Sequence, residues 1–200
     1  MTAFLAGLGL GLTLIMPIGA QNVFVLNHGL QHRLPRSLWA AGAAATADTL
    51  LIVLGAAGAS ALVTEVPALR STMVLVGVVF LLVLSWHSLR GDADAVDDGR
   101  SAPLRPRRTV AQGFGVSLLN PHAILDTVGV IGGAIAAQPV AARSPFAGGT
   151  IAASWLWFTV LVLAASVLHS HLTRRVRTGI QRATGLFMLG LAALLGLTLV

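Results

Sequence analysis

The chain has no cysteine, no lysine and no tyrosine, and few charged residues of any kind. The missing cysteine excludes disulfides and thiolate metal sites. The missing lysine makes all 13 basic residues arginine. Charged residues are only 10% of 200 and hydrophobic ones 56%, whereas soluble domains carry roughly 25% charged residues. A soluble fold has too little polar surface here to cover itself, so the class is integral membrane protein. A net charge of +6 and a pI near 11.8 would suit nucleic acid, but the arginines sit in short loops between apolar runs. That is the distribution of a membrane protein and not of a phosphate-binding groove, so no nucleic-acid partner is expected.

Six apolar segments, roughly 3–27, 38–63, 71–89, 109–136, 146–168 and 183–200, each approach the ~20 residues needed to cross a hydrocarbon core. The first lacks a basic leader and outruns a signal-peptide core, so it reads as an uncleaved span. The first and fourth are long enough to contain a break. The sole sizeable polar stretch, 91–108, is acidic first (Asp92, Asp94, Asp97, Asp98) and then basic and proline-rich. An EF-hand loop needs alternating acids, a glycine and a later glutamate. The spacing fails and no glutamate follows, so the stretch reads as a solvated linker; no metal and no cofactor are expected.

Orientation follows from the arginines. Loops after spans one, three and five hold Arg33, Arg36, Arg90, Arg100, Arg105, Arg107, Arg108, Arg174, Arg175, Arg177 and Arg182, against Arg70 and Arg143 after spans two and four. The positive-inside bias predicts both termini outside and the linker 91–108 in the cytoplasm. Trp39 and Trp86 then fall at the cytoplasmic interface.

The two halves match at an offset of 104: Gly9 with Gly113, Gly11 with Gly115, Leu14 with Leu118, Pro17 with Pro121 and Gly29 with Gly133. Thr13 meets Ser117 and Asn22 meets Asp126 in the same ungapped register. Glycine and leucine matches come cheaply in this composition; a shared proline with a polar residue five positions later does not. Three spans per half invert the second half. The expected fold is all-α, six transmembrane helices as two inverted three-helix repeats (about 3–89 and 109–200) in one domain, 1–200, with broken first and fourth helices. Such breaks face each other at mid-membrane in transporters.

The residues at the breaks are unusual for hydrocarbon. Pro17 and Pro121 free carbonyls in the preceding turn, and Gly19 lets backbone approach closely. Gln21, Asn22 and Asn120 offer amide donors and acceptors. Asp48 and Asp126 are the acids inside spans, and each costs about 2.5–3.5 kcal/mol at a helix centre on insertion scales. Each is either protonated and bonded to a neighbouring helix, or a substrate-facing carboxylate that exchanges a proton for a cation. A helix starting after a break points its positive dipole end into the cavity, where a carboxylate can sit. His122 is a candidate proton relay or a cap for freed carbonyls. His28, His32, His87, His169 and His171 read as interfacial. Gly9 and Gly11 read as close helix packing. Trp155 and Trp157 fall mid-span, and aligning Gly42 with Gly149 sets Trp155 opposite Asp48, where a guanidinium could stack; lipid-facing or packing tryptophan is the other reading.

At these residues the sequence resembles the LysE-type family of basic amino acid exporters. The matching motifs are Ile18-Gly19-Ala20-Gln21-Asn22-Val23-Phe24-Val25-Leu26, Ala47-Asp48-Thr49-Leu50-Leu51, Leu119-Asn120-Pro121-His122-Ala123-Ile124-Leu125-Asp126 and Ala152-Ala153-Ser154-Trp155-Leu156-Trp157-Phe158. They fall in four of the six spans and in the family's order. Related homoserine/threonine-type exporters typically show Pro-Gly-Pro-Asn in the first span and lack an aspartate at the position of Asp126. The resemblance implies export of L-lysine or L-arginine across a bacterial inner membrane, driven by the proton motive force. The family often carries a basic residue shortly after the first motif, where this chain has Asn27-His28-Gly29, which leaves lysine versus arginine open.

Exchange for a proton suits a cationic substrate, because uniport against an inside-negative potential would accumulate it inside. The expected partners are therefore a basic amino acid, protons and membrane lipid, with room for a homo-oligomer. Alternating access about Asp48, Asp126, Asn22, Asn120 and the two breaks is the expected mechanism. Two other classes fit the residues less well. An intramembrane aspartyl protease needs an acid–base dyad, and its usual Gly-x-Gly-Asp pattern is missing. An exporter of neutral amino acids such as threonine has the same plan but no use for the second carboxylate.

Overall fold

The computed structural model describes residues 1–17, 19–32, 34–59, 67–90, 106–169 and 173–197; the expected linker lies outside them up to residue 105. Among the described residues the chain is helical and has no strand. Helix α1 is Thr2–Ile15, α2 Ala20–Gln31 and α3 Leu38–Leu54, the last continued by a wide turn, Gly55–Ala59, that kinks at Gly58 (φ 92°). Helices α4 (Pro67–Arg90) and α5 (Pro106–Leu118) follow, then α6 (Pro121–Ile124), which runs through a π-helical segment, Leu125–Ile131, into α7 (Gly132–Ala136). Two long helices, α8 (Val140–His169) and α9 (Arg174–Gly196), complete the chain. Proline opens α4, α5 and α6, the position where its missing N–H costs no helical hydrogen bond.

By length and hydropathy Leu38–Gly58 and Val140–Leu168 are each long and apolar enough to cross a bilayer, and α1 with α2, bent by 81°, passes the same test when the two are taken together. The chain is a multi-pass membrane protein. Its surface is inverted relative to a soluble fold. Leu50, Val53, Val79, Leu82, Leu156, Val160 and Leu163 face outward, while Ser37, Ser85, Ser117, Thr150 and Ser154 are buried. Lipid offers no hydrogen bonds, so hydroxyls turn inward to find them. Ser85 Oγ donates to the Gly185 carbonyl at 2.8 Å, and the Ser37 and Ser166 hydroxyls meet at 3.1 Å. At the end of α4 the Arg90 guanidinium stacks 3.6 Å over the Trp86 ring.

Small residues set the packing. Helix α3 buries Ala40, Ala41, Ala43, Ala44, Ala45 and Ala47, which lets α5, α8 and α2 all close on it. Helix α1 lies along α8, and α4 along α9. A Cβ on Gly7 would sit 2.1 Å from the Phe146 carbonyl oxygen, and one on Gly149 would sit 2.1 Å from that of Phe4. The α1–α8 contact is thus backbone to backbone. Gly11 is packed as expected, its Cβ position 2.7 Å from the Ala153 Cβ, but Gly9 has open space. Two residues turn a helix by about 200°, so Gly9 and Gly11 cannot share a face. Phe24, Leu81, Val116, Phe158 and Val162, from α2, α4, α5 and α8, belong to the main core.

The α1–α8 contact yields a stability test. Gly149→Ala should lower the detergent unfolding midpoint by the equivalent of about 1–3 kcal/mol, while Gly9→Ala should leave it unchanged or raise it. Equal tolerance of both substitutions in a thermal scan would show that the helices do not touch there.

Candidate functional site

Both expected breaks are present. Helix α1 ends at Ile15, Pro17 has no N–H with which to continue it, and Gly19 is extended (φ −129°, ψ 178°) before α2 starts at Ala20. Helix α5 ends at Leu118, and α6 starts at Pro121. The restarts are alike: Val23 N–H donates to the Gly19 carbonyl at 3.0 Å, and Ile124 N–H to that of Asn120 at 3.1 Å.

A cavity of about 250 Å3 lies between the breaks and brings together Pro17, Gly19, Gln21, Asn22, Asp48, Asn120 and Asp126. Leu81, Phe158 and Leu191 give it an apolar wall. The side chains of Pro121 and His122 lie outside the described residues. Trp155 does not line the cavity. It is 45% exposed, and its indole donates to Thr49 Oγ1 at 3.2 Å. The expected place beside Asp48 is taken by Ser154, because the Gly42–Gly149 alignment is one residue out of step with the real facing, or about 100° of helix rotation.

The two carboxylates differ in surroundings. Asp48 is buried and fully engaged: Oδ1 accepts from Gln21 Nε2 at 2.8 Å, and Oδ2 accepts from Ser154 Oγ. Gln21 Nε2 also donates to the Ala44 carbonyl at 3.2 Å. Asp126 is exposed to the cavity, and among the described residues no hydrogen bond or ion pair reaches its carboxylate. It stands in the first turn of the π-helical segment; such wide turns are rare and concentrate at functional sites.

Asn22, 104 positions before Asp126, is occupied on every side. Its Nδ2 donates to the Ile15 carbonyl at 2.8 Å and to that of Pro17 at 2.7 Å, and its Oδ1 accepts from Trp157 Nε1 at 3.0 Å. Ser154 and Trp157 were not among the expected site residues. The available signal was polarity alone: a hydroxyl and an indole N–H inside an apolar span must each find a partner.

The LysE type translocator family matches residues 12–198, nearly the whole chain. The chain belongs to that family. Its relatives include YisU of Bacillus subtilis (strain 168), 38% identical over 85% of this chain and 77% of that protein. The arginine exporter protein ArgO of Pectobacterium carotovorum is 37% identical over 94% of both chains. ArgO of Klebsiella pneumoniae is 35% identical over 94% of this chain and 90% of its own. No solved structure matches the chain. A LysE type translocator moves a solute, so the paired aspartates belong to a transporter and not to a protease.

The unequal surroundings of the two acids predict unequal costs. Asp48→Leu strands the Gln21 and Ser154 donors in an apolar interior, at about 1–3 kcal/mol for each group left unsatisfied. Asp126→Leu strands none. In thermal unfolding of the purified protein Asp48→Leu should be the more damaging by several degrees, and the reverse order would contradict the bonding described.

Proposed function

We propose that this LysE type translocator exports basic amino acids, L-arginine or L-lysine, across a bacterial inner membrane in exchange for protons. The observation that carries this is Asp126, an acid without a protein partner among the described residues, facing the cavity between two helix breaks. An acceptor in that state is matched by a guanidinium or an ammonium, or by a proton when neither is present. The arginine exporters among the relatives support the same substrate class.

The rest of the cavity suits the rest of such a molecule. The N-terminus of α2 at Ala20 and Gln21 has no side-chain cap and faces the cavity, so its amide dipoles suit an α-carboxylate. Leu81, Phe158 and Leu191 suit an aliphatic stem. At about 250 Å3 the cavity fits one amino acid better than a peptide. Asp48 tunes the local field, and Asn120 adds polar wall at the second break.

The same reading takes the fold as two inverted three-helix repeats that rock about this cavity. Support comes from paired local bonds. Thr13 Oγ1 donates to the Gly9 carbonyl at 2.9 Å, and 104 residues on Ser117 Oγ donates to that of Gly113 at 3.0 Å. The contact of α1 with α8 likewise has its counterpart in α5 with α3. Arginine distribution supports termini outside and linker inside. Moving a cation outward against an inside-negative potential costs about 2.3 kcal/mol per 100 mV, and an inward proton cancels that term. The pH gradient then drives export.

Reconstituted protein should exchange labelled arginine saturably, faster under an imposed pH gradient, with lysine and canavanine competing and threonine not. Asp126→Asn should cut the rate at least about tenfold, the worth of one charged hydrogen bond. Flux indifferent to the pH gradient would remove the antiport. Competition by threonine alone would move the substrate to the neutral class, and full activity in Asp126→Asn would remove that residue from the site.

A further inference from the structure

The two breaks are held differently, and one residue outside the expected site accounts for the difference. A break inside a bilayer frees carbonyls that lipid cannot satisfy. In the first half the free carbonyls of Ile15 and Pro17 lie 2.8 and 2.7 Å from the same amide nitrogen, Asn22 Nδ2. Both amide hydrogens are thereby used. The amide oxygen is used as well, by the Trp157 indole at 3.0 Å. Trp157 reaches across from α8, is itself partly buried, and packs its ring against the main core. An indole N–H is a donor only, so it fixes which way the Asn22 amide faces: oxygen toward α8, nitrogen toward the break. A flipped amide would put its oxygen against two carbonyl oxygens and its nitrogen against an N–H.

In the second half the residue at the matching place is Asp126, an ionised form of which has no hydrogen to give. While ionised it cannot tie back to the carbonyls of its own break.

We propose that Trp157 is a positioning residue that locks Asn22 across the first break, so that the first half carries a fixed cradle and movement on substrate or proton binding is confined to the second break. Asn22 is then a strut and does not touch substrate. The inference rests on the transport reading above only for what binds at the second break; the lock itself is a property of the fold and can be measured without transport.

The test is amide hydrogen exchange of the full-length protein in lipid nanodiscs, followed by mass spectrometry, with no substrate added. Trp157→Phe keeps the ring and loses the N–H. Peptides covering 15–23 should exchange roughly threefold to tenfold faster, the effect of one hydrogen bond, and peptides covering 119–127 should not change. Trp155→Phe removes an indole N–H two residues away on the same helix and should leave both breaks at wild-type rates. Asn22→Asp, which loses both donations to the carbonyls, should loosen 15–23 more than Trp157→Phe does. Adding Trp157→Phe to Asn22→Asp should then add less than it does alone, because the two act through one contact. Unchanged exchange at 15–23 in both single variants, or equal acceleration of both breaks, would overturn the lock. The same nanodiscs with arginine added separate the two proposals: protection appearing at 119–127 and not at 15–23 agrees with a fixed first cradle, protection at 15–23 contradicts it, and protection at neither in wild type counts against arginine as substrate while the lock is still decided by the variants.

Discussion

The constraint from which the rest follows is that a bilayer cannot solvate a broken backbone. Once Pro17 and Pro121 interrupt two helices, every freed carbonyl and amide has to be met by protein groups or within the cavity, never by lipid. The first break is met by one amide, Asn22, placed five residues after Pro17 so that it folds back over its own turn. That solution needs a second helix to orient the amide, and α8 can supply Trp157 only because it comes close. The closeness is in turn a matter of glycine and alanine: Gly7 and Gly149 bring α1 and α8 into backbone contact, and the alanine-rich face of α3 lets α2 and α8 meet above it.

Within that frame two carboxylates acquire different characters from different neighbours. Asp48 accepts from Gln21 on α2 and Ser154 on α8 and so stitches three helices together. A buried acid bonded on both oxygens is costly to lose, because its donors would be stranded. Asp126 has no such duty among the described residues. Free of structural bonds and open to the cavity, it is the acid whose charge is available to something that arrives. The division is physical before it is functional: one acid is spent on packing and the other is left over.

The sequence made the breaks and both acids legible because they violate the composition around them. A proline, an amide and a carboxylate stand out in a run of leucine and alanine, and the offset of 104 paired Asn22 with Asp126. What it did not carry was facing. Trp155 and Trp157 are two residues apart, so about 200° separates them around α8, and only one can turn toward the first break. Alignment on Gly42 and Gly149 set Trp155 opposite Asp48 and left a lipid-facing tryptophan as the other reading; the helix presents Ser154 to Asp48 and Trp157 to Asn22, with Trp155 half exposed. When nearly every side of a helix is apolar, periodicity no longer marks which side is buried. The π-helical segment was equally hidden, since one extra residue in a turn leaves no compositional trace.

The unequal residues at the two breaks have a consequence for how the chain can move. If both breaks carried asparagine, each would close over its own carbonyls and neither would respond to charge. If both carried aspartate, neither break would be tied by this residue, and two acids would face one cavity of about 250 Å3 at a cost of several kcal/mol on insertion scales. One of each gives a fixed reference and a responsive side. If the two halves rock as proposed, an amide at residue 22 and a carboxylate 104 positions later would make one break an anchor and the other a sensor.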